Sequence, residues 1–189
     1  NRHTITSGPG VDPYGNFPIV APGGGTYSIK LGNDVNGAEG ERARYKMHIP
    51  AGANKYGIIY KYAVVFEEPG HIFWQQLRFE ILAYDSATNA QVPCAEQVYV
   101  AAPGLAGFLP SPVNPYVLYK PWTSAFFDLG GLAGKTIYLD FSTGDCAQHG
   151  HFGYGYFDVI SCGNYGIEMT CDSTGTGIVL TGPPHYLTY

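Results

Sequence analysis

The sequence predicts an all-β protein, and within that class a jelly-roll-like antiparallel β-sandwich. Three observations carry this reading. Twenty-six glycines and fourteen prolines interrupt the 189 residues so often that apolar segments mostly stay under ten residues long. The chain is 45% hydrophobic and 15% aromatic but only 13% charged, a composition suited to pleated, half-buried surfaces. Within the segments, apolar positions recur at period two rather than 3.6.

Each element follows from that pattern. Residues 1–25 are turn-rich ("SGPG", "VDPYGNFP", "PGGG") and read as ordered surface coil with one short strand. "TYSIKLG" places Tyr27, Ile29 and Leu31 on one face. "ARYKMHI" sets Tyr45, Met47 and Ile49 against Arg44, Lys46 and His48, the pattern of a half-buried strand. The apolar run at residues 56–67 suits a central strand covered on both faces. "QLRFEILAYD" alternates Leu77, Phe79, Ile81 and Ala83, and "EQVYVAA" and "SAFFDLG" follow as shorter strands. Between those two, "PGLAGFLPSPVNPYVLYKPW" carries too many prolines for a helix and reads as an excursion. "KTIYLDFST" alternates Ile137, Leu139 and Phe141. In "HFGYGYFDVIS", Phe152, Tyr154, Tyr156 and Asp158 oppose His151, Gly153, Gly155 and Phe157.

The total is nine or ten strands, with residues 1–163 forming the sandwich. After Cys162 the texture changes. Residues 164–189 hold two short strand patterns, at residues 167–171 and 177–180, and are too short for a core of their own. They read as the first strands of a following immunoglobulin-like module or as a strand-donating tail.

A net charge of −5 with ten scattered Lys and Arg excludes nucleic-acid binding, which needs clustered cations. No apolar run approaches the roughly 20 residues that span a bilayer, so no membrane insertion is expected. Four cysteines without a C-x-x-C pair argue against a zinc ribbon. They suit two disulfides in an oxidising compartment. Four cysteines allow three pairings; Cys162 with Cys171, nine apart, and Cys94 with Cys146 are the first choice.

Five stretches then occur in order: "GGGTYSIKLGN", "YKYAVVFEEPGH", "QLRFEILAYD", "YKPWTSAFFDLGGLAGKTIYLDFST" and "DCAQHGHFGYGYFD". Together they resemble a β-sandwich module of very large surface adhesins of gliding bacteria, exported by the type nine secretion system. That module is similar in architecture to MAM-like and carbohydrate-binding jelly rolls. The resemblance spans residues 15–162, and its last stretch is the most specific. Where the family commonly has "DPGH", this chain has Glu68-Pro69-Gly70-His71. The resemblance implies secretion, cell-surface display and adhesion, with neighbouring modules of the same large protein or other surface proteins as partners.

Candidate sites follow. His149 and His151, two apart, share a face if the segment is a strand, and Asp145 and His71 could join them around zinc or copper. The simpler reading makes them turn and strand-edge residues. The resemblance to carbohydrate-binding sandwich modules implies structural calcium as the preferred ion. Asp158 stands at the end of the last strand, where such modules place a carboxylate, with Asn33 and Asp34 of the "LGND" turn as companions. Ligand contacts are expected at Trp74, Trp122, His71, His149 and His151. Phe152, Tyr154 and Tyr156 read as core, with Gly153 and Gly155 admitting a neighbour on the other face. Glu67 and Glu68 point to opposite faces and cannot flank one bond, and no nucleophile or metalloprotease motif is present, so catalysis is not expected. The leading expectation is a non-catalytic adhesive module acting by protein contact; the alternative is a lectin-like module binding glycans.

Overall fold

The computed structural model describes residues 2–68, 70–165, 168–171 and 178–182. The strands are β1 (His3–Ser7), β2 (Tyr27–Gly32), β3 (Gly40–His48), β4 (Gly57–Glu67), β5 (Arg78–Asp85), β6 (Gln91–Val100), β7 (Leu109–Pro110), β8 (Val117–Asp128), β9 (Thr136–Gly144), β10 (Gly153–Gly163), β11 (Glu168–Cys171) and β12 (Ile178–Thr181). One sheet runs β1-β2-β10-β4-β8-β7 and faces a second, β3-β9-β5-β6; every ladder is antiparallel. Apart from the β5–β6 hairpin, the connections between the eight central strands cross from one sheet to the other. That is the jelly-roll topology expected from the alternating strands.

The inner core lies between the sheets. Tyr60, Tyr62, Val64 and Phe66 of β4 meet Phe79 and Ile81 of β5 and Leu139 and Phe141 of β9. Phe141 and Phe157 stack across the gap at 3.8 Å between centroids, a contact worth about 0.5–1.5 kcal/mol beyond the area it buries. Gly153 and Gly155 face this gap. A Cβ on Gly155 would lie 2.3 Å from the Phe79 ring, and one on Gly153 would lie 2.8 Å from Leu77 Cδ2. The glycines are there because β5 fills their side of the sheet.

The stripe Phe152, Tyr154 and Tyr156 is buried as core, but on the opposite side from the inner gap. The N-terminal segment folds over the outer face of the larger sheet, and Phe17 packs there with Ala63, Val65 and Val117. Asp12, almost fully buried, organises this layer. Its Oδ2 accepts from the hydroxyls of Tyr154 (2.8 Å) and Tyr156 (3.0 Å), and its Oδ1 accepts from the backbone of Tyr14 (3.0 Å) and Gly15 (2.8 Å). Four donors offset the desolvation of one carboxylate. With both faces covered, β4 is buried along nearly its whole length, as its continuous apolar run required.

Two elements depart from the sequence reading. The proline-bearing excursion ends early, because β8 already begins at Val117 and runs through Pro121. The β4–β8 register shifts between Tyr62 and Val64, opposite Lys120 to Thr123, so Pro121 sits in a bulge. A bulge residue is not asked to donate to the ladder. A 3-10 turn, Phe73–Gln75, closes the β4–β5 connection and was not anticipated. Among the described residues, β11 and β12 pair with each other and join neither sheet.

Candidate functional site

Strands β2, β4, β6 and β9 end, and β3, β5, β8 and β10 begin, at one end of the sandwich. That end gathers the described residues 33–39, 70–77, 101–116 and 145–152. The 3-10 turn stands on this surface and carries Ile72, Phe73 and Trp74 at 51%, 66% and 72% exposure. The turn is tied down from beneath. Gln76 is buried, and its Nε2 donates to Glu68 Oε1 (2.8 Å) and to the His71 carbonyl (3.0 Å). The Ala147 amide donates to the Gln75 carbonyl at 3.1 Å, joining this loop to the β9–β10 loop. Exposed apolar side chains therefore sit on an anchored base.

Below the turn, His71, Cys146 and His151 converge, with one potential ligand atom from each lying within 4.8 Å of the others. Cys146 Sγ is 3.3 Å from His151 Nδ1, and the His71 and His151 rings meet edge to face at 5.1 Å. Cys146 is fully buried. His71 Nε2 is shielded from solvent and has no hydrogen-bond partner among the described residues. The β9–β10 loop is held in shape by Asp145, whose Oδ1 accepts from Gly153 N (2.9 Å) and Oδ2 from Glu39 N (3.4 Å). Burial pushes this carboxyl up to about 6, against the pull of those two amides and with the charges of Glu41 and Glu39 adding to the rise.

Several expectations for this region are corrected. His149 is exposed and in the left-handed backbone region at φ 61°, within a turn closed onto the Cys146 carbonyl. The parity that put His149 and His151 on one face holds for a strand, and residues 145–150 are not one. The Cys94–Cys146 disulfide does not form: both are free thiols, Cys94 exposed on β6 and Cys146 buried beside His151. Cys162 is a free, exposed thiol at the end of β10, and the side chain of its expected partner Cys171 lies outside the described residues. Cysteine count carries no information on which pairs approach: the sequence groups His71 with His151 but assigns Cys146 to a disulfide, whereas the structure places Cys146 beside both histidines.

Asp158 does not meet Asn33 and Asp34. Tyr154 pairs with Gly32, which puts Asp158 four residues, about 13 Å, further along β10. The three cannot ligate one ion. Asp158 instead accepts from Gly25 N at 3.4 Å near Lys61, and burial raises its carboxyl above the usual range despite both. Asn33 Oδ1 caps its own turn by accepting from Val35 N at 2.7 Å. Trp122 is half-buried, tilted against Tyr156, and donates from Nε1 to the Pro18 carbonyl at 2.6 Å. It packs on the outer layer, whereas Trp74 is exposed to solvent.

A second feature had no single-residue signature. Near the open edge where β1 and β2 face β3, a groove of about 520 Å³ is lined by Ile5, Tyr27, Ile29, Tyr45 and Phe157, with Asp158 at its side. Tyr27 and Tyr45 occupy the apolar faces of their strands, yet both stay exposed as walls of this groove.

No protein-family profile and no curated protein sequence matches the chain. Among solved structures it is similar to TmCBM61 in complex with β-1,4-galactotriose, at 9% identity, TM-score 0.40, covering 84% of this chain and 82% of that one. It is also similar to the enzymatically active domain of tailspike protein 4 of bacteriophage CBA120, at 12% identity and TM-score 0.36, covering 84% of this chain and 18% of that one. A third is the glycoside hydrolase domain of Endo-D from Streptococcus pneumoniae R6, at 14% identity and TM-score 0.34, covering 90% and 24%. Values this low say nothing of ligand or activity. Among the described residues, no helix is long and apolar enough to cross a membrane.

Proposed function

We propose that the chain is a non-catalytic adhesive module of a secreted surface protein, making protein–protein contact through the turn at residues 72–74. The observation that supports it is the run of three large apolar side chains held out in solvent on an anchored loop. Keeping such a run exposed costs solubility and gains nothing for the core, so it suits a contact surface. Fixed aromatics at the centre of a patch are the residue type that dominates interface energies. Tyr116 and Val113, exposed in the loop of residues 101–116 at the same end, extend the apolar character. Display on a type nine-exported adhesin rests on the resemblance of the five sequence stretches, and residues 164–189 begin the next module in that reading.

The absence of catalysis is part of the proposal. Glu68 holds the turn by accepting from Gly70 N and Gln76 Nε2, both at 2.8 Å, so it is a structural acceptor rather than half of an acid–base pair. A second reading is favoured by the exposed rings of Phe73 and Trp74, which offer stacking faces to sugars as well as to protein.

Display of the chain on beads, with and without the double change Phe73→Ser and Trp74→Ser, tests both. Loss of bead retention on protein-coated surfaces with an unchanged melting temperature is expected. Equal retention would remove the turn from the contact surface. Specific binding on a glycan array, lost in the double variant, would favour the sugar reading instead.

A further inference from the structure

We infer that His71, Cys146 and His151 form a binding site for one Zn²⁺, which clamps the β4–β5 turn to the β9–β10 loop. The donor set is two imidazoles and one thiolate, borderline to soft ligands that suit zinc and not the hard cations. A tetrahedral site with Zn–N near 2.0–2.1 Å and Zn–S near 2.3 Å needs donors about 3.3–3.6 Å apart. Cys146 Sγ and His151 Nδ1 already stand at 3.3 Å. The ring nitrogen of His71 lies within 4.8 Å of both and has to close by little more than an ångström.

The second observation is independent of the spacing. His71 Nε2 is buried without a hydrogen-bond partner among the described residues. A buried polar nitrogen left unpaired costs free energy, and a metal bond is one way to satisfy it. The scaffold is also assembled without the ion. Gln76 fixes the His71 carbonyl, Ala147 N holds Gln75, Asp145 shapes the loop that carries Cys146, and an isolated bridge joins His151 to Gly37. Pre-positioned ligands lose little further entropy on binding.

Three protein ligands leave a fourth position for water or for a donor from a bound partner. His71 immediately precedes Ile72, Phe73 and Trp74 in the chain, so zinc would stiffen the surface that the proposed contact uses. The inference does not depend on that contact being made.

The untagged chain, stripped of metal with a chelator and dialysed, is titrated with Zn²⁺ against a competing chromophore. One zinc per chain is expected, with a rise in melting temperature of about 5–10 °C at a hundredfold excess over Kd. Co²⁺ in the same site should give a thiolate charge-transfer band. Cys146→Ser should abolish that band, while Cys94→Ser and Cys162→Ser should keep it. Because Cys146 is in the core and its variant could unfold, His71→Ala is the second arm, expected to weaken zinc by about 100-fold or more. Ca²⁺, which prefers oxygen ligands, should leave the band unchanged. No stoichiometric zinc, binding of Cu⁺ without Zn²⁺, or zinc affinity equal in His71→Ala and the parent would each overturn the assignment.

Discussion

Asp12 shows how one residue can tie a segment to a sheet. Its carboxylate, almost fully buried, takes hydrogen bonds from two tyrosine hydroxyls and two amides. The Lys30 ammonium sits 3.7 Å from the Tyr154 ring centroid; burial lowers its pKa, and the nearby charges of Asp12 and Asp34 oppose that. Burial, then Asp12, keeps the Tyr154 and Tyr156 hydroxyls protonated and available to donate. Asp12→Ala strands these donors, at a cost of about 3 kcal/mol. That corresponds to a fall in melting temperature of about 6–12 °C for a chain of this size. Asp12→Asn keeps one acceptor oxygen, and the tyrosine hydroxyls can turn to accept, so its loss should be smaller. Equal melting of Asp12→Ala and the parent would show that the N-terminal layer is not anchored here. Nothing in "VDPYGNFP" marked Asp12 as buried, since an acid in a turn normally faces solvent.

At the scale of the element, the β5–β6 hairpin turns on Asp85. Its carboxyl is held below the usual range first by the hydrogen bond from Lys135 (2.9 Å), then by the Ala87 amide (2.9 Å). A depressed folded-state pKa adds stability above the ordinary value of 3.8, and that stability is lost as pH falls through the lower folded value. Asp85→Asn should therefore unfold at lower urea than the parent at neutral pH, and the gap should shrink as pH drops below 3.8. A gap independent of pH would assign the effect to the turn's backbone rather than to charge. The strands themselves were legible, because period-two patterning is a local property of the chain. The sequence places the start of β8 too late because residues 103–122 read as a proline-bearing excursion, and only the β4 register shows that Pro121 occupies a bulge.

At the scale of the whole molecule, the sandwich closes without its last described strands. β11 and β12 form their own two-stranded sheet, and β10 is already paired on both sides by β2 and β4. Shortening the chain after Tyr165 should leave the melting temperature of the sandwich within about 3 °C of the parent. A larger fall would make the tail part of this core. The same paired architecture explains the groove at the open corner. β2 and β3 carry correct apolar faces, but Tyr27 and Tyr45 line a groove between the sheets and stay exposed.

The sequence alone determined the all-β class, the order and faces of the strands, and the burial of the Phe152–Tyr154–Tyr156 stripe, because alternation depends only on neighbours along the chain. Only the tertiary structure decided that this stripe packs under the N-terminal segment, that Cys146 leaves Cys94 and meets His71 and His151, and that Asp158 stays apart from Asn33 and Asp34. These are contacts between residues far apart in sequence. They follow from how jelly-roll crossovers bring loop ends together, and no local pattern encodes which ends will touch.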